Sequence, residues 1–120
     1  MFRTATLVLA FLAIGLSTSA MAHHKLTTAS PPVSGRVAVG PKTVRLTFNE
    51  QVMPNFSGLV IKNASGKAIK TLRPSVDPSD SKSLIVPLAH ALPPGVYHVE
   101  WHAVSTDTHR VTGQYDFTIG

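Results

Sequence analysis

The sequence predicts an all-β domain, and two observations support this prediction. Apolar and polar residues alternate along several segments, and turn-forming residues interrupt those segments at short intervals. A period of two places one face of a strand in the core and the other in solvent, whereas no segment shows a sustained helical period or a convincing helix cap. We therefore predict an immunoglobulin-like Greek-key β-sandwich of about seven strands. A small closed barrel is the alternative, because periodicity does not separate the two.

Seven segments carry the alternating pattern or a shorter version of it. Val44, Leu46 and Phe48 share one face of the segment 43–48, and Trp101 lies on the apolar face of a later segment, which places it in the core. Proline, glycine and asparagine separate the segments. In chain order the predicted strands are 36–39, 43–48, 58–62, 67–72, 83–86, 97–104 and 111–119.

The first 22 residues differ from the rest of the chain. Arg3 precedes an apolar run of ten residues, 7–16, and the small residues of Ala20-Met21-Ala22 follow. This order is typical of a secretory signal peptide, and a membrane span needs roughly twenty apolar residues. The sequence therefore predicts a signal peptide over 1–22 and a mature domain over 23–120, of 120 − 22 = 98 residues. We expect a periplasmic protein whose mature chain does not insert into a membrane.

Composition excludes several kinds of site and partner. The formal net charge is +5, but the basic residues are scattered, and export also argues against a nucleic-acid partner. The chain contains no cysteine, so disulfides and thiolate metal ligands are excluded. Met53 is the only methionine after the predicted signal peptide, and a dedicated Cu(I) site needs several soft sulfur ligands. Any metal must therefore bind mainly through nitrogen and oxygen.

Three residues form a candidate metal site. Cleavage after Ala22 would leave His23 with a free amine beside its imidazole, which together chelate a divalent metal. Asp107 and His109 lie between the two longest predicted strands, and in an extended Asp-x-His both side chains project to one side, about 7 Å apart at Cα. Taken alone, this three-residue match favours a structural role instead, in which Asp107 caps a turn and His109 is exposed. The amine, two imidazoles and a carboxylate suit Cu(II), although Zn(II) could also bind them.

The other histidines are weaker candidates. His98 and His102 share a strand face but lie roughly 13 Å apart, which is too far for one metal and favours a solvated surface role. His90 lies in a loop without ligand-like neighbours, and His24 does not share the chelating geometry of His23. Because the amine and imidazoles of the candidate site must lose protons to bind, its metal affinity is expected to fall in acid.

Several segments together resemble the CopC copper-resistance family. They are the start His23-His24-Lys25-Leu26, the proline pair that follows Ser30, LTFNEQVMPNFSG at 46–58 and YHVEWHAVSTDTHRVTGQYDFTI at 97–119. The resemblance spans essentially the whole mature chain. It implies an exported immunoglobulin-like sandwich that binds Cu(II) through His23, Asp107 and His109, with Glu50 near the ion as an outer contact or a weak extra ligand.

The resemblance also sets the functional expectations. Some relatives carry a methionine-rich Cu(I) loop, but residues 59–72 contain no methionine or histidine here, so we expect Cu(II) binding only. The first hypothesis is a carrier or sequestering protein in copper resistance and homeostasis, with a membrane transporter of the CopD type as partner. The alternatives are a histidine-brace copper monooxygenase and a metal-free immunoglobulin-like binding module. We expect no enzyme, because Trp101 is predicted in the core and a carboxylate would occupy a copper position.

Overall fold

A computed structural model describes residues 24–120, which form nine β-strands in two sheets. The predicted signal peptide and His23 lie outside the described residues. Within residues 24–120, no helix is long and apolar enough to cross a membrane. The strands are β1 Leu26–Ser30, β2 Arg36–Val37, β3 Thr43–Phe48, β4 Gly58–Lys62, β5 Ala68–Ile69, β6 Ser75–Asp77, β7 Asp80–Pro87, β8 Gly95–Val104 and β9 Arg110–Ile119.

The two sheets are separate, which confirms the predicted sandwich, and the closed barrel is not formed. One sheet has the order β1-β3-β7-β6 and the other has the order β2-β9-β8-β4-β5. The chain changes sheets between β1 and β2, β2 and β3, β3 and β4, β5 and β6, and β7 and β8, and the sandwich has a Greek-key arrangement. The longest pairing joins β8 to β9 through ten residue pairs, from Gly95–Ile119 to Val104–Arg110.

The strand prediction was accurate for buried strands and poor at the sheet edges. β3 and β4 have the predicted bounds, whereas β2 and β5 are shorter and β7 is longer than predicted. β1 and β6 were not predicted, so the described chain has nine strands rather than about seven. Both are edge strands without a fully buried residue, and a strand that buries no face carries little alternation in its sequence.

The core lies between the sheets and consists of the residues that alternation placed there. Val44, Leu46 and Phe48 of β3 face the apolar side of β8, and Trp101 is 9% exposed. Gly113 of β9 lies directly opposite Trp101. The indole packs over this glycine, whose missing side chain leaves the room. The prediction of a buried tryptophan is confirmed.

Tyr115 carries the one buried tyrosine hydroxyl without a hydrogen-bond partner among residues 24–120. Burial raises its pKa to about 12. Since removing an unpaired buried polar group relieves a desolvation cost, we expect Tyr115→Phe to raise the free energy of unfolding by about 1 kcal/mol in urea denaturation. Tyr97 is the matched control, because its hydroxyl donates to the carbonyl oxygen of Pro93 at 2.6 Å. Tyr97→Phe should be destabilising, and a similar loss in both variants would contradict this interpretation.

Candidate metal centre

The loop 105–109, which joins β8 to β9, carries the Asp-x-His pair. Val104 pairs with Arg110 across the hairpin, so the five intervening residues must reverse the chain direction. The backbone N–H of Ser105 donates to the carbonyl oxygen of His109 at 2.9 Å, and Thr108 has a φ of 71°. The sequence prediction of an extended Asp-x-His was therefore wrong in its geometry, because the hairpin register requires a tight turn here.

The turn nevertheless brings Asp107 and His109 together. Nδ1 of His109 lies 3.1 Å from Oδ2 of Asp107, and the two side chains are 66% and 53% exposed. The buried Ser105 hydroxyl and the backbone N–H of His109 both donate to Oδ1 of Asp107. These hydrogen bonds, that of Ser105 above all, hold the pKa of the Asp107 carboxyl below its ordinary value. The loop thus presents an imidazole and an ionised carboxylate to solvent, within reach of one ion.

The segment 49–51 connects this loop to the start of the described chain. The backbone N–H of Lys25 donates to Oδ1 of Asn49 at 2.7 Å, and the N–H of Asn49 donates to the carbonyl oxygen of Lys25 at 3.1 Å. Two residues further, the N–H of Thr106 donates to the carbonyl oxygen of Gln51 at 3.2 Å. One short segment therefore contacts both the chain start and the Asp-x-His loop.

Two side chains, one within this segment and one next to Lys25, have buried polar atoms without hydrogen-bond partners among the described residues. These atoms are Oε2 of Glu50 and both ring nitrogens of His24. The imidazole of His24 is only 5% exposed, and its ring centroid lies 5.0 Å from that of Phe48. The sequence pattern gave no sign of this burial, because a polar histidine beside the chain start is normally solvated.

The metal-binding groups among the described residues are of the chemical type that copper accepts, but they are too few to hold the ion by themselves. Within the described part of the chain, no group of three or more histidine, cysteine, aspartate or glutamate side chains could hold a metal ion. Asp107 and His109 supply one oxygen and one nitrogen donor, both of which Cu(II) accepts. The unpartnered carboxylate oxygen of Glu50 is a further polar atom close in sequence to the Asn49 contact. His23, the remaining predicted ligand, lies outside the described residues.

The other histidines lie away from the loop. His98 is half-buried, with Nδ1 2.5 Å from Oδ1 of Asp116, and this hydrogen bond raises its pKa. His102 is also half-buried, and its pKa is lowered by burial and by the positive charge of Arg110. Both were predicted to be surface residues, and both lie partly exposed on the outer face of the five-stranded sheet. His90 is exposed, as expected for a loop residue.

Comparison with known proteins identifies the family. A family model described as the CopC domain matches residues 26–120. Protein YobA of Escherichia coli strain K12 is 41% identical over 118 residues, which are 98% of this chain and 95% of YobA. Copper resistance protein C of Escherichia coli is 37% identical over 114 residues, which are 90% of each chain.

The structural comparison agrees with the sequence comparison. The crystal structure of PcoC, a methionine-rich copper resistance protein from Escherichia coli, matches with a TM-score of 0.72 and 32% identity. The match covers 82% of this chain and 99% of PcoC. The resemblance noted in the sequence is confirmed on both grounds, and the chain belongs to the CopC family of copper-binding copper resistance proteins.

Proposed function

We propose that this protein is a periplasmic Cu(II) carrier or sequestering protein, with His23, Asp107 and His109 as its ligands. The observation that carries the proposal is the contact of the segment 49–51 with both Lys25 and Thr106. This contact brings the beginning of the domain to the same end of the sandwich as the Asp-x-His pair. Ligands 84 residues apart in sequence can meet only through such a tertiary connection.

The proposed ligand set depends on signal-peptide cleavage after Ala22. The new amine and the imidazole of His23 would then add two nitrogen donors to those of Asp107 and His109. Three nitrogens and one oxygen suit the tetragonal preference of Cu(II). Glu50 is proposed as an outer contact or a weak extra ligand, where an ion or its bound water would satisfy Oε2.

Binding without turnover is the activity that these residues support. The Asp107 carboxylate would occupy a copper position that a monooxygenase leaves open for oxygen, and Trp101 is buried rather than displayed to a substrate. Residues 59–72 contain no methionine or histidine, whereas PcoC is described as methionine-rich. We therefore propose a site for Cu(II) alone. A membrane transporter of the CopD type is the acceptor that the family resemblance implies.

The direct test is Cu(II) titration of the mature protein beginning at His23, against a competing chelator. We expect one tightly bound Cu(II) per chain and an EPR spectrum of mixed nitrogen and oxygen ligation. His109→Ala should weaken binding by at least about 100-fold, because the loss of a direct ligand costs no less than the loss of an outer contact, whose upper end is about 100-fold. His90→Ala, in an exposed loop, is the matched control and should bind as the parent does. Equal affinity in the two variants would refute the proposed site.

A further inference from the structure

The side chain of His24 has a different environment from the side chains of the proposed ligands Asp107 and His109. The side chains of Asp107 and His109 are more than half exposed, whereas the ring of His24 is 5% exposed. Neither nitrogen of His24 has a hydrogen-bond partner among residues 24–120. Burying two polar atoms without hydrogen bonds costs free energy. The packing of the ring must therefore supply enough favourable free energy to offset this loss of hydration.

The packing of His24 connects it to the centre of the sandwich. Its ring lies against Phe48 with the planes at 54°, and Phe48 in turn meets Trp101 edge-on at 5.3 Å between centroids. Phe48 is only 1% exposed. The three rings therefore form one continuous row of aromatic contacts. His24, next to β1, is its outermost member, Phe48 belongs to β3 and Trp101 belongs to β8.

The backbone that follows His24 is fixed as well. Lys25 and Asn49 exchange two hydrogen bonds, at 2.7 and 3.1 Å, before β1 begins at Leu26. Residue 24 is thus held by its own ring and by the pairing of the next residue.

We propose that His24 is a positioning residue, whose ring docks on Phe48 and so leaves only His23 free to offer its amine and imidazole to the Asp107–His109 pair. His24 is then not a copper ligand, although its side chain has the right chemistry. This inference rests on the proposed function, because it concerns how the same copper site is assembled.

Two substitutions separate packing from ligation. His24→Phe keeps a ring on Phe48 but has no donor nitrogen, so we expect Cu(II) affinity within about threefold of the parent and an unchanged EPR spectrum. His24→Ala removes the ring, and we expect affinity to fall by about tenfold, in the range for residues that orient ligands. In the copper-free protein, His24→Ala should also speed hydrogen exchange at the Lys25 amide, while His24→Phe should not.

Two results would overturn the inference. If His24→Phe changes the EPR spectrum and loses affinity as His24→Ala does, His24 is a ligand. If His24→Ala keeps full affinity, the docked ring does not position the site. Failure of the proposed function is distinguishable, since the parent protein itself would then bind no Cu(II) through nitrogen. The exchange rate at Lys25 reports on the docking of the ring independently of the metal.

Discussion

A mature chain whose terminal amine on His23 is acetylated is expected to bind Cu(II) roughly 1,000-fold more weakly than the authentic chain, a loss of about 4 kcal/mol. Acetylation converts the free amine of residue 23 into an amide, which no longer chelates the ion together with the imidazole. The remaining donors are the single imidazole of His23 and the Asp107–His109 pair. Competition titration and EPR of the two chains measure this effect.

The thermal unfolding of the copper-free chains provides the control for that experiment. The hydrogen bonds between Lys25 and Asn49 and the packing of the His24 ring on Phe48 do not involve the terminal amine. Both chains should therefore unfold at the same temperature without copper, and only the authentic chain should gain strongly in stability when copper is added. Equal copper affinity of the two chains would show that the free terminus is not a ligand.

Replacing Gly113 with alanine is expected to destabilise the domain by about 3 kcal/mol, at the upper end of typical overpacking costs. A Cβ at this position would lie 2.3 Å from Cζ2 and 2.6 Å from Cε2 of Trp101. The indole cannot retreat freely, because its ring also packs against Phe48. In a domain of this size the loss corresponds to a decrease of about 15 °C in the unfolding temperature. Urea denaturation and calorimetry measure both quantities.

Gly66→Ala is a matched control, in which the same substitution destabilises the domain through backbone strain rather than through a steric clash. Gly66 has no heavy atom within 4 Å of the position of a Cβ, but its φ is +83°, so only backbone strain of about 1 kcal/mol is expected there. A second variant tests the steric origin directly: Trp101→Phe in the Gly113→Ala background replaces the indole with a smaller ring and should recover part of the loss. No recovery, or a cost equal to that of Gly66→Ala, would refute the packing argument.

The sequence predicted the parts of this protein that depend on local pattern or on donor chemistry. Val44, Leu46 and Phe48 alternate because one face of β3 is buried, and this signal is present in the residues themselves. Asp107 and His109 were predicted as metal ligands because a carboxylate and an imidazole two residues apart suit one ion; their side chains do meet, while their role as ligands stays a prediction. The extended geometry assumed for them was wrong, since the β8–β9 register was not known.

The residues that sequence reasoning missed act across the fold. Asn49 holds Lys25 over a separation of 24 residues. His24 looked like a solvated second histidine, yet its ring is buried on Phe48. Each role follows from strand pairing or from packing between distant segments, and no local period or motif records such contacts.

The long β8–β9 hairpin has a consequence for how a bound ion could leave. Ten consecutive residue pairs form a stiff ribbon, and the Asp-x-His loop is its exposed tip. A Cu(II) ion bound there, as we propose, would lie at an exposed corner of the molecule. An acceptor could then approach that corner and displace the protein's donors one at a time, while the sandwich beneath keeps its shape.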